Sequence, residues 1–253
     1  MCAVGSQTGP RLVAAKIVNM TMKARLEGDQ TSCEMLEILF PTDPLVSHDS
    51  KGFFFSSPSL EAAEQSGSPW AVGAAELLIS HMNGVARLRT NAFAGVKIIG
   101  YDGVPGRVQV SGVSLTSWDR NGDHGLEPDA ARQEMLLAKD NVRVARAIRL
   151  LGHAGSRIDW FDLYKVYESV RADLKDGGHP ELLGIWIDKN DLNTFTESAN
   201  RAEISGDGAR HAELGGIASG RSMTLGEGRS VMIRAVRQWL AWKISGKEST
   251  RLP

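Results

Sequence analysis

Between Ile17 and Glu27 apolar and polar residues alternate. Val18, Met20, Met22, Ala24 and Leu26 share one face, and Asn19, Thr21, Lys23, Arg25 and Glu27 share the other. A period of two is the signature of a strand with one face buried. Gly28-Asp29-Gln30 then predicts a turn. The apolar run Met35 to Phe40, stopped by Pro41, predicts a second strand that closes a hairpin. Phe53-Phe54-Phe55, ended by Ser56-Ser57-Pro58, reads as a further short strand, and its three rings are a candidate partner surface.

At Ser68-Pro69 the period changes. Ser and Pro are a helix-start pair, and Trp70, Ala74, Leu77, His81, Val85 and Leu88 follow at three- and four-residue steps. His81 lies on this stripe and reads as a packed histidine making one hydrogen bond. Val96 to Tyr101 and Arg107 to Leu115 return to strand patterning around the turn Asp102 to Gly106, with a bulge expected at Gly112. An antiparallel sheet covered by one main helix is the architecture expected of the N-terminal half.

The pattern shifts again at Trp118 to Gly125, where a domain boundary is expected, giving an α+β domain over 1–120 and a helical domain over 127–253. Pro128 opens a helix that runs to Gly152 and buries Leu137, Val144, Ile148 and Leu151. Ser156 and Asp159 start another, with Trp160, Leu163, Tyr164, Tyr167, Val170 and Leu174 on one face and Gly177-Gly178 as its stop. Leu192, Phe195 and Ala199 mark a shorter helix. Thr224-x-x-Glu227 is a capping box for the last, whose buried side is Met232, Ala235, Val236, Trp239 and Leu240. The fold class expected is therefore α+β, an N-terminal antiparallel sheet with one main helix followed by an all-helical C-terminal half.

Charge and composition narrow the function classes. A net charge of −1 gives no global field that would draw in nucleic acid or an acidic membrane. The two cysteines, Cys2 and Cys33, form no disulfide framework, which suits a reducing cytoplasm. The first residues lack a basic start followed by an apolar run, so no secretory leader is expected, and no apolar stretch is long enough to span a membrane.

Four chemistries have residue spacings that the sequence can be held against. Asp119-x-Asn121-x-Asp123 opens like a calcium loop, but His124 and Ala130 stand where that loop needs Gly and Glu, so it reads as a solvated turn. Gly215 to Ser222 nearly spells a phosphate-binding loop, with Arg221 in place of its Lys and no strand before it. The six histidines (48, 81, 124, 153, 179, 211) are scattered, so no metal site is expected, and no cofactor is implied. A G-x-S-x-G nucleophile elbow is absent from the sequence.

What remains is the Gly- and Ser-rich stretch Asn200 to Ser222, which sets Asn200, Arg210 and His211 between two helices. Two readings of Arg210-His211 stay open. In one they cap the preceding helix or pair with Asp207 and Glu213. In the other Arg210 holds a phosphate while His211 shuttles a proton, with the first-turn amides of the following helix adding anion binding.

The segments Phe195-x-x-x-Ala199-Asn200, Ala209-Arg210-His211-Ala212 and Met223-Thr224-Leu225-x-Glu227 resemble the C-terminal part of a group of uncharacterised bacterial proteins. The layout of helices around a polar Arg/His segment is similar to that of HEPN domains, helical modules that often cleave RNA in toxins and antiviral defence. The HEPN motif is Arg, four to six residues, then His. Arg201 and His211 have nine residues between them and Arg210 adjoins His211, so neither fits, whereas Arg146 and His153, with six between, match the spacing.

The expected function is a non-catalytic binding module for a partner protein or small ligand. The alternative is a metal-independent, HEPN-like ribonuclease, with His211 as general acid/base, Arg210 stabilising the scissile phosphate of RNA, Asn200 orienting the substrate and a homodimer pairing two copies of the loop.

Overall fold

The structure, a computed structural model, describes residues 22–65, 67–102, 125–153, 158–201 and 222–246. Its N-terminal part is a four-stranded antiparallel sheet of β1 (Lys23–Glu27), β2 (Leu45–Asp49), β3 (Gly52–Ser56) and β4 (Lys97–Asp102), in the order β2-β3-β1-β4. The alternation seen in the sequence sets the sheet's two faces. Met22, Ala24, Leu26, Val46, Phe55 and Ile98 point to the core, while Lys23, Arg25, Phe54 and Asp102 lie on the other side.

Two expectations for this half are corrected. Residues 30–39 form a helix, α1 (Gln30–Leu39), not a second hairpin strand. Asp29 accepts a hydrogen bond from the Ser32 amide at 2.9 Å and so caps it, and Cys33, Leu36 and Leu39 are buried at helical spacing. The Phe53-Phe54-Phe55 run is no exposed partner surface. Phe55 is fully buried in the core, and Phe54 is only 8% exposed beneath the Lys23 and Arg25 side chains.

A short helix, α2 (Pro58–Gln65), leads into the long α3 (Ser68–Arg89). The helix is where it was expected, and Val85 and Leu88 are buried as expected, but over its first half the buried face is displaced by about one residue. Ala71, Ala75, Ile79, Met82, Val85 and Ala86 are buried, whereas Trp70 is 72% exposed and Leu77 43%. Small Ala71 and Ala75 line the core face of the first turns, and the bulky Trp70 and Leu77 beside them face solvent. His81 is half-buried, and its Nε2 lies 3.1 Å from the Ala145 carbonyl oxygen, as expected of a packed histidine. Burial holds its imidazole below the ordinary value.

Buried polar side chains of α3 fix the chain ahead of β4. The Asn83 amide donates to the Val96 carbonyl at 2.7 Å and accepts from the Val96 amide at 3.1 Å. Arg87 donates to the carbonyl oxygens of Ala94, Leu151 and His153, tying that same connection to the helical half. These bonds satisfy backbone groups that the loop itself leaves unpaired.

The helical part comprises α4 (Pro128–Asp140), α5 (Val142–Leu151), α6 (Trp160–Asp176), α7 (Leu182–Trp186), α8 (Lys189–Asn200) and α9 (Leu225–Ile244). The single helix expected over 128–152 is two. Asn141 breaks it, because its Oδ1 accepts from the Arg143 and Val144 amides and starts a new helix. The capping box at Thr224 and Glu227 is present, and the five residues expected on the buried side of the last helix are all buried.

Helix α3 crosses α5 at close range. A Cβ built on Gly84 would lie 2.0 Å from the Ile148 carbonyl oxygen, and one on Gly152 would lie 1.7 Å from that of Ser80. Buried residues of the sheet half and of the helical half form one continuous core. The expected boundary at 118–125, the strand over 107–115 and the bulge at Gly112 lie outside the described residues, apart from Gly125. Among the described residues no helix is long and apolar enough to cross a membrane.

Candidate functional site

Of the three residues singled out in the sequence, the structure places Asn200. It is the last residue of α8, and its Oδ1 is buried with no hydrogen-bond partner among the described residues. Arg210 and His211 lie outside the described residues, as do the calcium-loop-like Asp119-x-Asn121-x-Asp123 and most of the Gly215–Ser222 stretch. The two ends of the segment are nonetheless drawn together. Ser198 Oγ accepts a hydrogen bond from the Met223 amide at 2.9 Å, and both residues are buried. Arg201, next along the chain, pairs with Glu197 at 3.5 Å.

The start of α9 is occupied by its own cap. Glu227 N donates to Thr224 Oγ1 at 3.3 Å, and the Glu227 carboxylate accepts from Thr224 N at 2.7 Å. One first-turn amide expected to bind an anion is thereby used, and a negative charge stands where that anion would sit. The pair with the HEPN spacing has separate surroundings. Arg146 is exposed on α5, whereas His153 Nδ1 is 3.5 Å from an Asp162 carboxylate oxygen and its carbonyl accepts from Arg87.

The outer face of the sheet carries a constellation that sequence reasoning missed. Alternation places Arg25 on the polar side of β1, yet it is only 9% exposed. Its Nε donates to Asp102 Oδ2 at 2.8 Å and its Nη1 and Nη2 grip Asp49 in fork geometry at 2.7 and 2.9 Å. Nη2 also bonds Asp102, and Nη1 reaches the Gly52 carbonyl at 3.4 Å. Every guanidinium N–H therefore has an acceptor, and the two carboxylates come from the two edge strands of the sheet. The Phe54 ring lies below, with Arg25 Cζ 5.2 Å and Lys23 Nζ 4.2 Å from its centroid.

The electrostatics follow from this geometry. The hydrogen bonds to Asp49, opposed by burial and joined by those to Asp102, hold Arg25 charged beyond its ordinary range. Asp49 is held well below the usual carboxylate range by Arg25 and then by the Lys51 backbone N–H. Asp102 is lowered by Arg25 against its own partial burial.

A bulge gives the face its relief. Gly100 stands opposite Arg25 and Ile98 opposite Leu26, so Ile99 has no partner across the strand and is 36% exposed. Beside it opens a pocket of about 250 Å³ lined by Arg25, Leu26, Lys51, Phe53, Ile99, Gly100, Tyr101 and Asp102. Its floor is a fixed guanidinium with saturated donors. Ile99 gives it an apolar wall, whereas the Phe53 ring shares the parity of Phe55 and packs against the core beside His48. Lys51 is different: its side chain is 71% exposed and its Nζ is 3.8 Å from Asp102, a loose contact.

No family model, no curated protein and no solved structure matches the chain.

Proposed function

We propose that the protein is a non-catalytic binding module and that its site is the pocket on the outer face of the sheet. Its ligand is a small molecule with one acidic group and an apolar body. The observation that carries this reading is the contrast between Arg25 and Lys51. Arg25 has no donor left and serves as a fixed floor, while Lys51 stands at the rim with an ammonium available to an anionic group. A concave, partly apolar surface with a few placed polar groups is the usual make-up of a ligand site, and a volume of about 250 Å³ suits a ligand of roughly one ring.

Benzoate and its neutral isostere benzamide are suitable probes for calorimetric titration. Benzoate binds, benzamide binds more weakly, and Lys51→Ala weakens benzoate by about tenfold while leaving benzamide unchanged. Equal affinity of the wild type and Lys51→Ala for benzoate, or binding of neither probe, would contradict the reading.

A further inference from the structure

Helix α5 carries cations and no acid. Its ten residues include Arg143, Arg146 and Arg149 and neither aspartate nor glutamate. Val144, Ala147, Ile148 and Leu151 are buried and hold the helix against the core. Val142, Arg146 and Arg149 are exposed, with Leu150 half-buried beside them. Steps of three and four residues set these four on one outward ridge.

The neighbouring acids are already engaged. Arg143 donates to Asp176 of α6 and lies 3.9 Å from Asp173, while Asp162, near the start of α6, faces His153. Among the described residues no carboxylate pairs with Arg146 or Arg149, whereas Arg201 and Arg234, also on helix surfaces, each pair with one. Val142 is 82% exposed, more than any other large apolar side chain among the described residues. The ridge therefore offers two guanidiniums and an apolar shoulder with nothing set against them.

We propose that this ridge docks an acidic amphipathic helix of a partner protein, laid along α5 with carboxylates on Arg146 and Arg149 and apolar side chains over Val142 and Leu150. Charge complementarity carries the proposal. Guanidinium groups shed water more readily than ammonium groups and grip carboxylates in fork geometry, so arginine is the cation enriched at protein interfaces. The ridge is about 15 Å long, the length of about three turns of a facing helix. Glutamate and leucine repeated at three- and four-residue steps on that helix would meet both the cations and the apolar shoulder.

A polyanion or an acidic bilayer fits less well. Both are held by broad basic fields, and two unpaired arginines on a chain of net charge −1 do not make one. The ridge lies on a helix that does not line the pocket of the outer sheet face, so this surface and the small-acid site are tested independently.

Fluorescence anisotropy on the full chain tests the surface. The probe is a labelled peptide of about 18 residues, long enough to form a helix, with leucine along one face and glutamate on its flanks. It binds saturably. Arg146→Gln combined with Arg149→Gln weakens binding by about tenfold or more, as does replacing the peptide's glutamates with glutamine. Lys189→Gln combined with Arg234→Gln removes as much charge from α8 and α9 and leaves binding unchanged. Both ridge arginines are exposed, so the ridge variant keeps the wild-type circular dichroism spectrum. Absence of binding, an equal loss in the two double variants, or equal binding of the glutamine peptide would overturn the proposal. So would ridge-dependent capture of oligouridylate RNA or phosphatidylserine vesicles in place of the peptide, which would name a different class of partner.

Discussion

Ser198 Oγ and the Met223 amide, 25 residues apart in sequence, are joined by a hydrogen bond of 2.9 Å in a buried setting. The bond closes the chain between α8 and α9 at its base. Ser198→Ala leaves the Met223 N–H buried without an acceptor, which costs about 1–3 kcal/mol. Urea denaturation of the two proteins measures this directly. Equal midpoints and equal slopes would show that the bond contributes nothing.

The crossing of α3 and α5 depends on the absence of side chains at two points. Gly84→Ala sets a methyl group against the Ile148 carbonyl, where the backbone must move, and is expected to cost about 3 kcal/mol or more. Gly73 provides the control within the same helix. It is exposed and a Cβ there would meet nothing within 4 Å, so Gly73→Ala stabilises by about 0.5–1 kcal/mol through helix propensity. Thermal denaturation of both variants distinguishes close packing from propensity, because the two substitutions shift the midpoint in opposite directions. A Gly84→Ala midpoint equal to that of the wild type would refute the close approach.

The Arg25 network predicts an acid response. Asp49 and Asp102 are held below their ordinary range, so their contribution is present above that range and is lost only as pH falls through the lowered values. In Arg25→Met the two carboxylates titrate at or above the ordinary range, since the cation between them is gone. Carbon NMR of the aspartate carboxyls reads this change. Arg25→Lys recovers only part of the lowering, because an ammonium cannot span both carboxylates as the guanidinium does. Aspartate midpoints unaltered in Arg25→Met would show that the network does not set them.

Legibility in the sequence followed the range of the interactions. The alternation over 22–27 and the Thr224–Glu227 cap are local patterns found as expected, while Ile17 to Thr21, the first part of that alternation, lie outside the described residues. The apolar residues of 35–40 are compatible with either period, and the deciding cue is Asp29, whose side chain caps a helix although Gly28-Asp29-Gln30 also fits a turn. The phase of the first half of α3 is hidden because small Ala71 and Ala75, not the bulky Trp70 and Leu77, face the core there, whereas Val85 and Leu88 further along are buried as their spacing predicts. Arg25 gave no local sign of its role. Its partners lie 24 and 77 residues away, and only the pairing of the strands brings them to it. Asn83 is similar, a buried polar residue whose purpose appears only when Val96 folds back beside it.

The most direct test of the binding reading is where a small acid lands. Nitrogen–proton correlation spectra of the labelled protein, recorded through a benzoate titration, are expected to show saturable shifts at the amides of Lys51, Phe53, Ile99, Gly100 and Asp102, the pocket on the outer sheet face. Those shifts disappear in Lys51→Ala while the rest of the spectrum stays that of the wild type. Saturable shifts confined to other parts of the chain, or shifts at the pocket that persist unchanged in Lys51→Ala, would contradict the account.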